Sequence, residues 1–309
     1  MESLANDRSF MSSMEIINWS IFSVFSLAAL AVAAAYFKSY SILQPPRRRT
    51  PVNYHPDQYK LVYETIDFST ADGISLKGWF IPAEGGETGK TIILCHGWGT
   101  NRGDLLRDTH FLAEKGFNLF YFDFRGSGES GGTVSSVGYL ETRDFDAAYE
   151  FLKARRPRAM EHAAVFGTSM GGSVAIFAAA KYPELKCLLA ENTFRSYRRV
   201  IANWSWLRTK VPYYPLVPMT LAFVKMKLGA DPEPFSPIHN IGRVKMPVML
   251  INGDNDDIVP LPDAENLFGM CKAEKKQLWI VTGASHGKCA EVGGEVYKNK
   301  VARFFAENL

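Results

Sequence analysis

The chain has 309 residues, of which 47% are hydrophobic, and its formal net charge is +3 at pH 7. This length and composition are sufficient for one large α/β core, whereas the small, scattered charge excludes a nucleic-acid-binding surface. The four cysteines have no C-x-x-C spacing, which argues against a metal site and a disulfide scaffold; they are Cys95, Cys187, Cys271 and Cys289.

The amino-terminal part contains an apolar stretch, Ile16 to Phe37, without any charged residue. It is long enough as a helix to cross a hydrocarbon core of ~30 Å. The sequence therefore predicts a tail at 1–15 and a transmembrane helix at 16–37. A signal peptide is the alternative, but its amino-terminal region would be basic, whereas here three acidic side chains precede the apolar stretch against one arginine.

The residues after this stretch are basic, with Lys38 and then three consecutive arginines ending at Arg49. The positive-inside rule predicts a single-pass membrane protein whose remaining chain is cytoplasmic. We expect a linker at 38–54 and one folded domain at 55–309. The prolines around the arginines make the second half of the linker non-helical, and the arginines suit anionic headgroups.

Strand patterns begin with Tyr59–Thr70 and Ile74–Ile81, separated by the turn signal Ala71-Asp72-Gly73. They predict an antiparallel hairpin at a sheet edge. Short apolar runs follow, typical of strands buried on both faces, and most are separated by segments of helical length. The runs lie at 91–95, 119–124, 163–166, 187–190, 248–251 and 278–281. The helices are predicted at about 102–115, 137–153, 170–181, 262–272 and 294–308. This alternation predicts a mainly parallel sheet flanked by helices.

One interval, about 194–244, breaks the alternation. A structureless loop of that length is uncommon in a compact domain, so we predict an inserted helical lid. Its aromatic side chains either line a substrate pocket or pack the lid onto the domain; they are Tyr197, Trp204, Trp206, Tyr213 and Tyr214.

The motif Gly167-Thr168-Ser169-Met170-Gly171 has the form G-x-S-x-G and lies between a predicted strand and a predicted helix. So sharp a turn strains the backbone, and side chains at the two glycine positions would collide with neighbouring backbone. The turn would expose Ser169 Oγ as a nucleophile. It would also place the amide of Met170 where an oxyanion develops.

A serine nucleophile needs a base and an acid, and both have candidates on loops that follow predicted strands. His286 follows the run at 278–281, and Asp254, Asp256 and Asp257 follow the run at 248–251. Because the carboxyl ends of parallel strands meet at one edge of a sheet, we expect these loops to converge on Ser169. The spacing leaves the choice among the three aspartates open.

Upstream, His96-Gly97-Trp98 follows the first predicted parallel strand. Gly97 allows backbone to approach the site closely, and the amide of Trp98 is the predicted second oxyanion donor. We expect His96 to brace this loop instead of acting as the base. Asp123 and Arg125 are predicted to pair and hold the next glycine-rich loop.

Taken together, these motifs resemble the α/β-hydrolase superfamily, in the branch related to prolyl oligopeptidase and serine aminopeptidase-like hydrolases, over about Tyr59 to Leu309. The acidic loop resembles the family pattern G-x-x-D-x-x-V-P, which runs here from Gly253 to Pro260 and selects Asp256 as the acid. The resemblance implies the α/β-hydrolase fold and a triad of Ser169, Asp256 and His286. It implies an oxyanion hole at Trp98 and Met170.

The resemblance implies no metal and no cofactor. We favour acyl esters as substrates, because the lid has no acidic cluster to bind a peptide amino terminus. The short linker keeps the pocket near the bilayer, which favours a lipid-like or other small amphiphilic ester. A serine peptidase acting on amides, and a non-catalytic interaction module tethered to the membrane, are the alternatives.

Overall fold

A single sheet of eight strands organises the computed structural model, which describes residues 13–44, 51–210 and 212–309. In chain order the strands are β1 (Glu64–Ser69), β2 (Ser75–Ile81), β3 (Lys90–Cys95), β4 (Asn118–Phe122), β5 (His162–Thr168), β6 (Leu188–Glu191), β7 (Val248–Gly253) and β8 (Lys276–Val281). Their spatial order is β1-β2-β4-β3-β5-β6-β7-β8. β2 is antiparallel to β1 and to β4, and the other neighbours are parallel. The predicted edge hairpin and mainly parallel sheet are confirmed.

Helices cover both faces of this sheet, and others form the amino-terminal segment and the lid. In chain order the helices are α1 (Ser13–Leu43), α2 (Arg102–Thr109), α3 (Glu141–Arg155), α4 (Met170–Lys181), α5 (Tyr197–Thr209), α6 (Leu216–Leu228), α7 (Pro237–Asn240), α8 (Leu261–Met270) and α9 (Cys289–Asn308). α3, α4 and α8 pack on one face, and α2 and α9 on the other. The predicted helical lid is confirmed, because α5, α6 and α7 lie between β6 and β7.

The central strands are apolar throughout because successive side chains enter two different cores. In β4, Phe120 packs in the cluster on one face and Tyr121 in the cluster on the other, and both are fully buried. A strand covered by helices on both faces of the sheet has no row of side chains that faces solvent. This explains why continuous apolar runs, not alternating ones, predicted these strands.

α3 begins at Glu141, four residues later than the prediction at Val137. Val137 and Gly138 have φ angles of +55° and +111°, which a right-handed helix does not contain. The Glu141 carboxylate accepts hydrogen bonds from the amides of Ser136 and Gly138, both at 2.9 Å. A buried carboxylate therefore holds the preceding loop, a contact that hydrophobic periodicity does not reveal.

α1 continues through Leu43, six residues beyond the predicted end at Phe37. Ile42 and Leu43 are buried against lid residues such as Val200, and tertiary packing of this kind stabilises the additional turns. The first part of the predicted linker is therefore helical, and its residues 45–50 lie outside the described residues.

The remainder of α1 is not covered by the domain. Residues 13–34 are exposed or partly exposed, although most of them are apolar. The helix is long and apolar enough to cross a membrane, a property that membrane anchors and signal sequences share.

β6 ends in a buried carboxyl group, that of Glu191. It accepts a hydrogen bond from the Tyr297 hydroxyl at 2.6 Å, and burial raises the pKa of Glu191 from 4.5 to about 7. Between these values the folded protein retains a proton that the unfolded chain releases. This contribution to stability is therefore fully present below pH 4.5 and is lost as the pH rises through 7. The loss is on the order of 3 kcal/mol, at about 1.4 kcal/mol per pKa unit.

We expect Glu191→Gln to remove this contribution to the pH dependence, because the amide keeps a polar partner for Tyr297 without titrating. The measurement is the midpoint temperature of thermal unfolding in detergent, for variant and wild type, at about pH 5 and about pH 8. The difference in midpoint between the two proteins should differ by several degrees between the two pH values. Glu265→Gln, at an exposed position, is the control and should parallel the wild type. Parallel behaviour of Glu191→Gln as well would contradict the prediction.

Candidate active site

The turn between β5 and α4 carries Ser169. Its φ and ψ are +53° and −115°, a conformation that costs about 1–3 kcal/mol when the residue has a side chain. A Cβ at Gly167 would lie 2.1 Å from the Gly171 carbonyl oxygen, and a Cβ at Gly171 would lie 2.0 Å from the Cys95 carbonyl oxygen. The predicted collisions are confirmed, and both positions require glycine.

The structure brings the three predicted side chains, Ser169, His286 and Asp256, into one hydrogen-bonded chain. His286 Nε2 lies 3.0 Å from Ser169 Oγ, and His286 Nδ1 lies 2.7 Å from Asp256 Oδ2. The residues follow β5, β8 and β7, whose carboxyl ends share one edge of the sheet. A neutral imidazole that donates from Nδ1 to the carboxylate presents Nε2 to accept the serine proton.

The carboxylate of Asp256 is buried and bonded at both oxygens. Oδ1 accepts from the amides of Ile258 and Val259, at 2.9 and 2.8 Å, while Oδ2 faces the imidazole. The two alternatives in the same loop, Asp254 and Asp257, are exposed. Asp256 is therefore the aspartate beside the histidine.

Asn192, which no sequence motif identifies, also contacts Asp256. Its Nδ2 donates to Asp256 Oδ2 at 2.9 Å, the same oxygen that accepts from His286, and its Oδ1 accepts from Cys289 Sγ at 3.3 Å. Asn192 is buried and has a φ of +46°. It follows β6 directly, and this position at the same edge of the sheet is the signal that would have identified it.

We expect Asn192→Ala to lower kcat by about 10- to 100-fold with little change in KM. A hydrogen bond to a charged group contributes about 1.5–3 kcal/mol, and here it orients the carboxylate that holds the imidazole. The measurement is steady-state hydrolysis of a p-nitrophenyl ester. Asn203→Ala, which removes a 3.5 Å contact to the Ile258 carbonyl oxygen, is the matched control. A raised KM with unchanged kcat would contradict a positioning role for Asn192.

The two predicted oxyanion donors lie in backbone segments next to Ser169. Met170 is the first residue of α4, and the first amides of a helix have no carbonyl partner within it. A Cβ at Gly97 would lie 3.6 Å from the Ser169 Cβ, so the loop that continues into Trp98 passes directly beside the serine. Trp98 and Met170 both line the same cavity as Ser169.

His96 is buried and bonded to backbone at both ring nitrogens. Its Nε2 accepts from the Phe124 amide at 3.0 Å, and its Nδ1 lies 2.8 Å from the Gly97 carbonyl oxygen. A ring that accepts at Nε2 carries its proton at Nδ1 and is neutral, and burial lowers the pKa of His96. This geometry agrees with the predicted bracing role.

The predicted ion pair between Asp123 and Arg125 is wrong. Asp123 forms a buried ion pair with Arg102 in α2. Arg125 pairs with Asp144 in α3 at 2.7 Å and with Asp72 at 2.9 Å. The two side chains diverge because each meets an opposite charge on a helix from a different face of the sheet. The loop after β4 is consequently tied to both faces.

A cavity of about 710 Å³ adjoins Ser169. Its lining is mostly apolar and includes Ile42, Trp98, Val137, Phe194, Ile201 and Trp204. Of the predicted lid aromatics, Trp204 lines the cavity. Tyr197 is buried among apolar lid side chains such as Val200, and Trp206 and Tyr214 are exposed. The pocket interpretation therefore holds for Trp204, and the packing interpretation holds for Tyr197.

One wall of the cavity comes from α1, for which the sequence predicts only the role of a membrane anchor. Ser41 and Ile42 line the cavity. One turn earlier, Lys38 Nζ donates to Ser205 Oγ of the lid at 2.7 Å. The carboxyl-terminal turns of α1 are therefore joined both to the lid and to the pocket.

Comparisons with known proteins identify the family of this chain. The family model described as serine aminopeptidase, S33, matches residues 86–215. An uncharacterized protein of Mycobacterium tuberculosis is 30% identical over 238 residues, which is 77% of this chain and 77% of the relative. The protein bem46 of Schizosaccharomyces pombe is 28% identical over 295 residues, 92% of this chain and 91% of bem46.

Among solved structures, the esterase Pf2001 of Pyrococcus furiosus is similar to this chain. It is 28% identical, with a TM-score of 0.73 over 86% of this chain and 97% of the esterase. A similarity over these shares of both chains is one of the whole fold, which is the fold that the motifs predicted. The chain therefore belongs to the α/β-hydrolase superfamily, in the branch that the serine aminopeptidase model describes, and it is a hydrolase of that superfamily.

Proposed function

We propose that this protein is a serine hydrolase that cleaves acyl esters through an acyl-enzyme and is held at a membrane by α1. The observation that carries the proposal is the hydrogen-bonded chain from Ser169 through His286 to Asp256, next to an apolar cavity of about 710 Å³. A serine bonded to a neutral imidazole is poised for attack on a carbonyl carbon.

In the first step His286 Nε2 takes the proton of Ser169 Oγ while Oγ bonds to the acyl carbon. Asp256 stabilises the imidazolium that forms, and the amides of Trp98 and Met170 donate to the oxyanion. The imidazolium then protonates the leaving alkoxide, which departs as an alcohol. Water, deprotonated by His286, attacks the acyl carbon, and the imidazolium returns the proton to Ser169 Oγ as its bond to the acyl carbon breaks and the carboxylic acid leaves.

Esters are favoured over peptides by the charges around the pocket. An aminopeptidase must bind the ammonium group of its substrate, which calls for a carboxylate near the serine. None of the described residues that line the cavity is Asp or Glu. Residues 196–230 of the lid contain six Lys or Arg and no acidic residue. The peptidase alternative rests on the description of the family model.

A lipid-like acyl chain fits the position and lining of the cavity. The lining is mostly apolar, and Ile42 of α1 forms part of it, so the acyl site adjoins the helix that we assign to the membrane. A substrate partitioned into the bilayer would reach this site at a high local concentration.

The proposal is tested by hydrolysis of two substrate sets by the full chain in detergent. One set consists of p-nitrophenyl esters of increasing acyl length, and the other of aminoacyl p-nitroanilides. We expect kcat/KM to rise with acyl length and to exceed that for the anilides. Preferential cleavage of the anilides would favour the peptidase alternative. Equal kcat/KM values for all acyl lengths would contradict the proposal of a lipid-like substrate.

We expect Ile42→Trp to shorten the preferred acyl chain, because the larger ring occupies space at the wall of the cavity. The loss of contact with about two methylenes corresponds to about a tenfold lower kcat/KM for long esters, with butyrate esters unaffected. Phe37→Trp, on the same helix but 70% exposed, is the matched control and should leave the length profile unchanged. An equal loss for short and long esters would contradict the assignment of Ile42 to the acyl site.

A further inference from the structure

We propose that one edge of the lid binds an anionic lipid bilayer alongside α1. This surface, the lid edge, is defined by five side chains at the carboxyl-terminal end of α5 and just before α6: Trp206, Arg208, Lys210, Tyr213 and Tyr214. The inference rests on the proposed membrane insertion of α1 but not on any catalytic activity.

The direction of α5 places the lid edge on the membrane side of the lid. Lys38 of α1 bonds to Ser205 and to Thr209, in the second half of α5. One turn later in α1, Ile42 shares the cavity wall with Ile201, from the first half of α5. The two helices are therefore antiparallel, and the end of α5 points back along α1 toward its uncovered apolar segment.

The uncovered segment has the length of a bilayer. Residues 13–34 are exposed or partly exposed, and Ala35 is the first buried residue of α1. At about 1.5 Å per residue this segment is roughly 33 Å long, close to the ~30 Å of a hydrocarbon core. A membrane that covers the segment has its surface near Lys38, which is the level at which α5 ends.

The side chains of the lid edge are those typical of the headgroup region. Trp206 and Tyr214 are 52% and 74% exposed, and large aromatic side chains with a polar atom are enriched at membrane interfaces. Tyr213 packs against Tyr214 with ring centroids 4.8 Å apart. On a water-exposed surface of a soluble domain such a cluster would be unfavourable.

The charge of the lid edge suits anionic lipids. Residues 196–230 carry six cationic and no acidic side chains. Some of these cations are engaged elsewhere: Arg199 pairs with Asp263 of the domain, and Lys225 with Asp231. Arg208 and Lys210 are exposed and lie over the rings of Trp204 and Trp206. Each basic residue near an anionic leaflet contributes about 1 kcal/mol of attraction.

The lid edge is continuous with the proposed substrate site, because Arg208 also lines the cavity. An amphiphile could therefore pass from the bilayer into the cavity without crossing bulk water. Besides lining the cavity, the lid would therefore hold it against the membrane surface.

The test measures how deeply the lid edge is immersed, using the full chain in nanodiscs. The native cysteines are all buried, so a single cysteine introduced by Tyr214→Cys takes a nitroxide label selectively. Arg303→Cys, at an exposed position of α9, gives the control label. Collision rates with oxygen, which enters lipid, and with a nickel chelate, which stays in water, report the depth of each label.

We expect nickel collisions at position 214 to be several-fold rarer than at 303 in discs of phosphatidylcholine and phosphatidylserine in equal amounts. Adding Arg208→Glu and Lys210→Glu to the Tyr214→Cys protein should raise nickel collisions at position 214 to the level found at 303. Ser169→Ala should change nothing, which separates this result from the proposed activity. Thermal unfolding of each variant checks that it is folded.

Equal nickel access at 214 and 303 would overturn the proposal, and so would failure of the protein to incorporate into discs. Dipolar broadening between labels at 214 would show that a second copy of the chain, not lipid, covers the lid edge. Immersion of the same depth in discs of phosphatidylcholine alone would overturn the selectivity for anionic lipid.

Discussion

Ser169→Ala is expected to abolish ester hydrolysis, with kcat lower by at least about 10⁴-fold and substrate binding nearly unchanged. The substitution removes Oγ, the atom 3.0 Å from His286 Nε2, and leaves the lining of the cavity in place. Alanine keeps the Cβ that serine already has in this turn, and Gly167 and Gly171, where a Cβ would collide, are unchanged. The fold should therefore be retained, as circular dichroism would verify.

The same variant should also lose reaction with a fluorophosphonate probe, and peptide mapping of the labelled wild type should identify Ser169. Ser285→Ala is the control, because this exposed serine is next to His286 in the chain and its loss should leave labelling intact. Absence of labelling in folded wild-type protein would favour the non-catalytic interaction module over the enzyme.

Asp256→Asn is expected to lower kcat by about 10⁴-fold, since an amide at this position holds the imidazole in the wrong tautomer. The structure dictates how the amide must orient. Oδ1 accepts hydrogen bonds from the amides of Ile258 and Val259, so the carbonyl oxygen of the new side chain takes that position. Its amide nitrogen then points at His286 Nδ1, which forces the imidazole proton onto Nε2 and leaves no acceptor for the serine proton.

The matched control is Asp257→Asn, which removes the same charge one residue away at an exposed position. It should change kcat by less than about threefold, in line with the small effects of surface substitutions. Burst and steady-state kinetics with a p-nitrophenyl ester measure both variants. If Asp257→Asn or Asp254→Asn produced the large loss and Asp256→Asn did not, the acid would have been assigned to the wrong residue.

Motifs that depend on neighbouring residues were the most predictable features of this chain. The glycines around Ser169 follow from the steric demands of one turn, and the collisions found at Gly167 and Gly171 are those that the pentapeptide predicted. The apolar runs identified the parallel strands because strands buried on both faces need apolar side chains throughout. The order of Ser169, an aspartate and His286 followed from the loops after these strands.

Predictions failed or remained open where the outcome depended on which elements pack together. Asp123 and Arg125 do not pair, since α2 and α3 each supply a partner from opposite faces of the sheet. The start of α3 was misplaced because the buried Glu141 carboxylate binds the amides of the loop before it. Neither contact has a signature in the local sequence.

The sequence by itself determined the sheet with its flanking helices, the sharp turn at Ser169 and the candidate loops, because each depends on residues within one turn or one strand. The resemblance to the family pattern selected Asp256 among the three aspartates, and only the tertiary structure decided that Asn192 supports it and that α1 supplies a wall of the cavity. These outcomes depend on side chains far apart in the chain. Neighbouring parallel strands bring Asn192 to Asp256 at one edge of the sheet, and the packing of α1 on the lid brings Ile42 to the cavity.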